Sequence, residues 1–143
     1  MKRNKFWGLT ALVLALVTNV AFAQSKSKAN VPFAFSVERT SMEAGQYSIL
    51  VTDRVIQIRN DSTNKSVIMF SNRLESTKPQ HSRLVFHKYG DRYFLAEAWT
   101  ATGQAGASGI ELPASKAEQE TRASYRASYK DAGGPTEVIV AMR

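Results

Sequence analysis

The sequence has no cysteine, two histidines and four prolines in 143 residues. Without cysteine there is no disulfide staple, no thiol nucleophile and no zinc–thiolate site, so a folded domain must draw its stability from a buried core. His81 and His87 are the two imidazoles. Neither has a second histidine or a carboxylate at a metal-ligand spacing, so a metal site would need groups brought together from far apart in the chain. No Gly-x-Ser-x-Gly elbow, His-Glu-x-x-His pair or dinucleotide fingerprint occurs. Gly103, Gly106 and Gly109 recur every three residues, but the Lys-Ser/Thr of a phosphate loop is missing. A glycosidase needs two positioned carboxylates, and Asp91 is better explained by a turn. No enzyme class is supported, and no catalytic, cofactor-binding or metal-ligating residue is nominated.

Strong charge of one sign is also scarce. Lys2, Arg3 and Lys5 precede an apolar run over residues 6–20, and Ala21-Phe22-Ala23 supplies the small residues a signal peptidase accepts. Residues 1–23 read as a signal peptide, with Gln24 as the first mature residue. The run is short of the roughly 20 apolar residues a membrane span needs, so no transmembrane span is expected after cleavage. The expected location is periplasmic or extracellular. Loss of the three leader cations takes the formal charge from +7 to +4, which gives only weak attraction to anionic surfaces. Hydrophobic residues make up 43% of the chain, too many for a disordered segment.

What is present most clearly is a hairpin over residues 84–99. Two β-prone runs flank Gly90-Asp91, a pair suited to a two-residue turn. Such a turn sets Lys88 against Tyr93, Phe86 against Leu95 and Leu84 against Glu97. Leu84, Phe86, Tyr93, Leu95 and Trp99 then share one face, while Val85, His87, Phe94, Ala96 and Ala98 share the other. A hairpin apolar on both faces belongs in the middle of a covered sheet. Glu97 on the apolar face would need a partner, and His87 reads as a partly buried structural residue.

Residues 24–30 are polar and read as a flexible lead-in to a β-rich domain over 31–143. Val31, Phe33, Phe35 and Val37 alternate as a strand, and residues 46–52 and 54–59 form a second hairpin. The polar loop over 60–65 contains sequons at Asn60 and Asn64, explained more simply as loop chemistry. Residues 66–70 form a strand, 72–82 a connection, and 100–109 a flexible glycine-rich loop. Ser115 and Glu118 make a capping box, which predicts a helix over 116–130. Its Arg-Ala-Ser-Tyr repeat aligns Arg122, Arg126 and Lys130 on one stripe and Tyr125 with Tyr129 on another. A nucleic-acid or anionic-glycan surface is the sharper reading of that stripe. A solvated helix whose tyrosines lean on the sheet is the preferred one, and no nucleic acid is expected. Gly133-Gly134-Pro135 stops the helix, and 137–142 forms a final strand.

Four blocks in order, Val31-Pro32-Phe33-Ala34-Phe35, Ala44-Gly45-Gln46-Tyr47, residues 89–95 and residues 111–118, resemble a family of small secreted proteins abundant in soil acidobacteria. The resemblance implies export and a compact β-rich domain, and carries no activity. The fold expected is a mainly β, single antiparallel sandwich or flattened barrel of about seven or eight strands with one C-terminal α-helix. The function expected is an exported non-enzymatic envelope or extracellular module that binds a protein, glycan or surface. The alternative is a carrier of a small apolar ligand in a barrel cavity.

Overall fold

A computed structural model describes residues 26–52, 54–77, 81–101, 107–130 and 133–143. The expected leader and cleavage site, Gly103 and Gly106 lie outside the described residues. Alternating apolar residues build eleven strands: β1 (Ser27–Val31), β2 (Phe35–Val37), β3 (Thr40–Met42), β4 (Gly45–Val51), β5 (Val55–Asn60), β6 (Ser66–Phe70), β7 (Asn72–Ser76), β8 (Arg83–Tyr89), β9 (Arg92–Ala101), β10 (Ala107–Glu111) and β11 (Thr136–Ala141). One helix, α1 (Lys116–Ser128), lies between β10 and β11.

The strands form two sheets, the first ordered β1-β4-β5-β6 and the second β11-β8-β9-β10-β7. The β2–β3 hairpin joins the second through a parallel contact of Ser36 with Phe94. Along one side the sheets are sewn together: Lys28 N donates to Arg143 O at 2.7 Å and Arg143 N to Lys28 O at 2.8 Å. Along the other side Ser71 alone carries the chain from β6 into β7.

The inward faces share one core. Val31, Tyr47, Ile49, Ile56 and Ile58 come from the first sheet, and Phe35, Leu84, Phe86, Leu95 and Ile110 from the second. Phe35 meets Tyr47 edge-on at 5.2 Å and Phe86 at 5.1 Å between ring centroids, and Phe33 stacks on Tyr93 at 4.0 Å. Such ring geometries add to plain area burial. These buried side chains pack against one another between the sheets.

The architecture is the mainly β, sandwich-like one expected, with a single helix, but the strand count exceeds seven or eight. The extra strands fall where composition conceals alternation. Ser27–Asn30, expected as the end of a flexible lead-in, joins Val31 in pairing with β4 and buries Ala29 and Val31. The single strand expected from Val31 to Val37 is thus divided between β1 and β2 in different sheets. Asn72–Ser76, expected within a connection, pairs with β10. β10 itself occupies part of the expected glycine-rich loop. Gly109 there reflects a close approach: a Cβ would stand 2.7 Å from Trp99 Cδ2 and Cε3.

The central hairpin turns at Gly90, whose φ of +59° supplies the left-handed residue the turn requires. Lys88 faces Tyr93 and Phe86 faces Leu95, but the register then slips and Val85 faces Glu97. Ala96 is the extra residue of a β-bulge. Beyond it every β9 side chain changes face relative to strict alternation. Leu84 therefore faces Ala98 instead of Glu97. Trp99 leaves the Phe86 face and packs in a separate cluster with Val85, Ala107 and Leu74.

Candidate functional site

β8 lies between β9 and β11 in the second sheet, and alternation turns Val85, His87 and Tyr89 to the face away from the common core. Ser115 caps α1 by accepting from Glu118 N at 3.1 Å, and the first turn of α1 thereby delivers Glu118 onto that face. Glu118 Oε1 lies 2.8 Å from His87 Nδ1 and accepts from Tyr89 OH at 3.2 Å. The carboxylate that a capping box would send back to its own N-terminus is used across 31 residues of chain instead. Glu118 is only 4% exposed, and the His87 side chain is 29% exposed.

The hydrogen bond to Glu118 raises the His87 pKa above its ordinary value. Burial opposes the rise, and the charges of Glu118, Glu137 and Glu97 add to it. Burial raises the Tyr89 hydroxyl pKa, with further contributions from the charge of Glu118 and the bond to it, while Arg122 and Arg126 pull the other way. Tyr125 meets Tyr89 edge-on at 6.0 Å, and Arg92 Nη1 donates to Thr121 Oγ1 at 2.6 Å. A carboxylate on Nδ1 fixes the ring and favours its protonated form. Among the described residues no hydroxyl is hydrogen-bonded to the other ring nitrogen, and no three acidic, histidine or cysteine side chains gather to hold a metal. The arrangement docks the helix.

The other residues singled out in the sequence are spread apart. Glu97 lies on this outward face, not beside Leu84, and accepts from Trp99 Nε1 at 2.6 Å, while the Arg83 guanidinium stands 5.4 Å from the indole centroid. His81 and Asp91 are exposed. Of the basic stripe, Arg122 is half-buried while Arg126 and Lys130 are exposed. Tyr125 leans on the sheet, but Tyr129 is exposed and caps the helix, which ends at Ser128 ahead of the glycines. Asn60 is buried, and its Oδ1 accepts from Ser62 N at 2.9 Å and Thr63 N at 3.0 Å.

The outward face of the first sheet is different in kind. Cross-strand rows place Leu50, Gln57 and Ile68 side by side, then Val55 beside Phe70, and Ser48 beside Arg59 and Ser66. Ile68 is 62% exposed and Phe70 81%. A depression of about 50 Å³ is bounded by Lys26, Leu50, Gln57 and Arg59. At its margin Ser48 Oγ donates to Asp61 Oδ1 at 2.6 Å and Lys28 Nζ lies 3.6 Å from Asp61 Oδ2. The Ser48 bond, with help from Lys28, holds the Asp61 carboxyl below its usual range.

Neither Glu118 nor this bare face was legible from spacing. Glu118 carried a local explanation as a capping residue, and Val67-Ile68-Met69-Phe70, expected simply as a strand, has no polar residue to mark a solvated face. Only Met69 of that run is fully buried. No protein-family model matches the chain, and searches of curated proteins and of solved structures find no match.

Proposed function

We propose that the chain is an exported, non-enzymatic binding module of the periplasm or extracellular space, and that it binds through the outward face of the β1-β4-β5-β6 sheet. The observation that carries this reading is the exposure of Ile68 and Phe70, 62% and 81%, on a sheet face over which α1 does not lie. β6 contains no charge and no proline, the usual guards of an edge strand. Contiguous exposed apolar side chains mark interaction surfaces.

Three further features support the reading. The basic leader, apolar run and Ala-x-Ala site favour export, as does the resemblance to small secreted acidobacterial proteins. Met42, Tyr47 and Phe86 occupy interior space that a carrier would keep open for a ligand, typically about 300 Å³ or more. The buried carboxylate of Glu118 is committed to His87 and Tyr89, a structural use.

Radical footprinting of Phe70 and Ile68 tests the face. Both side chains should be modified less in the native envelope or secreted fraction than in the purified protein. Equal modification in the two would overturn the proposal.

A further inference from the structure

We infer that the partner of this face is an anionic lipid bilayer, on which the protein lies peripherally with Phe70 and Ile68 entering the headgroup region. The inference rests on the binding face proposed above and names what covers it.

Charge is the first argument. The four strands of the sheet contain no aspartate or glutamate; they carry Arg59 and Lys28, the latter paired with Asp61. Lys26 and Arg54 flank them, while Lys65 Nζ donates to Ser41 O and Glu43 precedes β4. Asp61, beside Lys28, is already held by that lysine and Ser48. Asp53, in the β4–β5 connection, lies outside the described residues. Lys26, Arg54 and Arg59 are exposed. The face is therefore apolar at one corner and cationic around it, the combination that seats a protein on an anionic interface. Two copies stacked on this face would bring like charges together, which disfavours a second copy as the occupant.

Shape is the second argument. The depression beside the Leu50, Gln57 and Ile68 row holds about 50 Å³, far below the roughly 300–1,000 Å³ of a small-molecule pocket. A wider open hollow of about 790 Å³, lined by Lys26, Lys28, Asn30, Gln46 and Arg143, lies along the β1 edge, away from Phe70. The smaller depression, the one next to Ile68, is too small to seat a sugar ring. Phe70 and Ile68 stand out from the face instead of lining a groove, as side chains do when the opposing surface is a deformable plane.

The test is sedimentation with vesicles of phosphatidylglycerol and phosphatidylcholine in equal parts, against phosphatidylcholine alone. The protein is expressed in its own host so that any leader is processed. Binding is expected to the anionic vesicles, at least tenfold weaker without phosphatidylglycerol, and reduced by 0.5 M salt. Phe70→Ser should lower partitioning about tenfold. Arg59→Gln should lower it about fivefold. Both sites are exposed, and an unchanged near-ultraviolet spectrum checks that each variant is folded. Absence of binding to anionic vesicles, or wild-type binding by both variants, overturns the inference. So does a concentration-dependent dimer that Phe70→Ser abolishes. If footprinting protection in the native fraction persists without vesicle binding, only the lipid falls and the face stands. If protection is absent as well, both fall.

Discussion

Gly109 sits directly beneath the indole of Trp99, opposite it in the β9–β10 ladder, with no room for a methyl group between them. The ring covers backbone that a larger residue would otherwise shield. Gly109→Ala should therefore cost about 1–3 kcal/mol through overpacking, although alanine is ordinarily the easier residue to order. Denaturant unfolding of the variant beside wild type measures it. Equal or greater stability would show that the indole swings away freely.

Phe86 occupies the opposite side of the same sheet, fully buried and in edge contact with Phe33 and Phe35. Phe86→Ala should cost about 3–5 kcal/mol, from lost burial plus the cavity left behind. With total stability on the order of 5–15 kcal/mol and no disulfide to compensate, the variant should be marginal. A loss below about 1 kcal/mol would refute a filled core at this position.

The His87–Glu118 contact makes stability depend on pH in a definite direction. The folded pKa of His87 is raised, so the folded state holds the proton more tightly than the unfolded chain. The resulting stabilisation is fully present below the unfolded value of about 6.5 and is lost as pH rises through the folded value. Between pH 5.5 and 8.5, wild type should lose stability relative to His87→Gln. Unfolding midpoints across that range decide it, and a relative gain with rising pH would contradict the assigned ionic contact.

The mature protein recovered from its host should begin at Gln24 and lie outside the cytoplasm. Intact-mass measurement of fractionated cells checks both points. A cytoplasmic protein still beginning at Met1 would remove the export half of the proposed function.

Local chemistry made some features legible and hid others. Gly90 carried its own turn, and Ser115 its own cap, because each depends on residues within three or four positions. The Ala96 bulge depends on how two strands settle against each other, and it moved Trp99 to the other face without any change in composition. Glu118 shows the same limit: the capping spacing is real, but a half-buried imidazole 31 residues away claimed its carboxylate. The lead-in half of β1 was missed because Ser27, Lys28 and Asn30 conceal its one small inward residue, Ala29, and Val31 reads more simply with Phe33 and Phe35 beyond it. The bare sheet face was missed because nothing local says which sheet a helix will cover.

The paired backbone bonds between Lys28 and Arg143 also set how the domain meets force. β1 and the last residues run antiparallel, so tension drawn outward through Lys26 and Arg143 loads the seam one rung at a time, from Lys28 inward. Bonds opened in sequence yield at far lower load than bonds sheared together. Under such a pull β1 would lift from the last residues at the sewn side, while the short links from β1 to β2 and from β3 to β4, and Ser71 on the far side, still tie the two sheets together. Tethered at both ends, the domain gives way first at this seam; held flat by one face, it bears no such load.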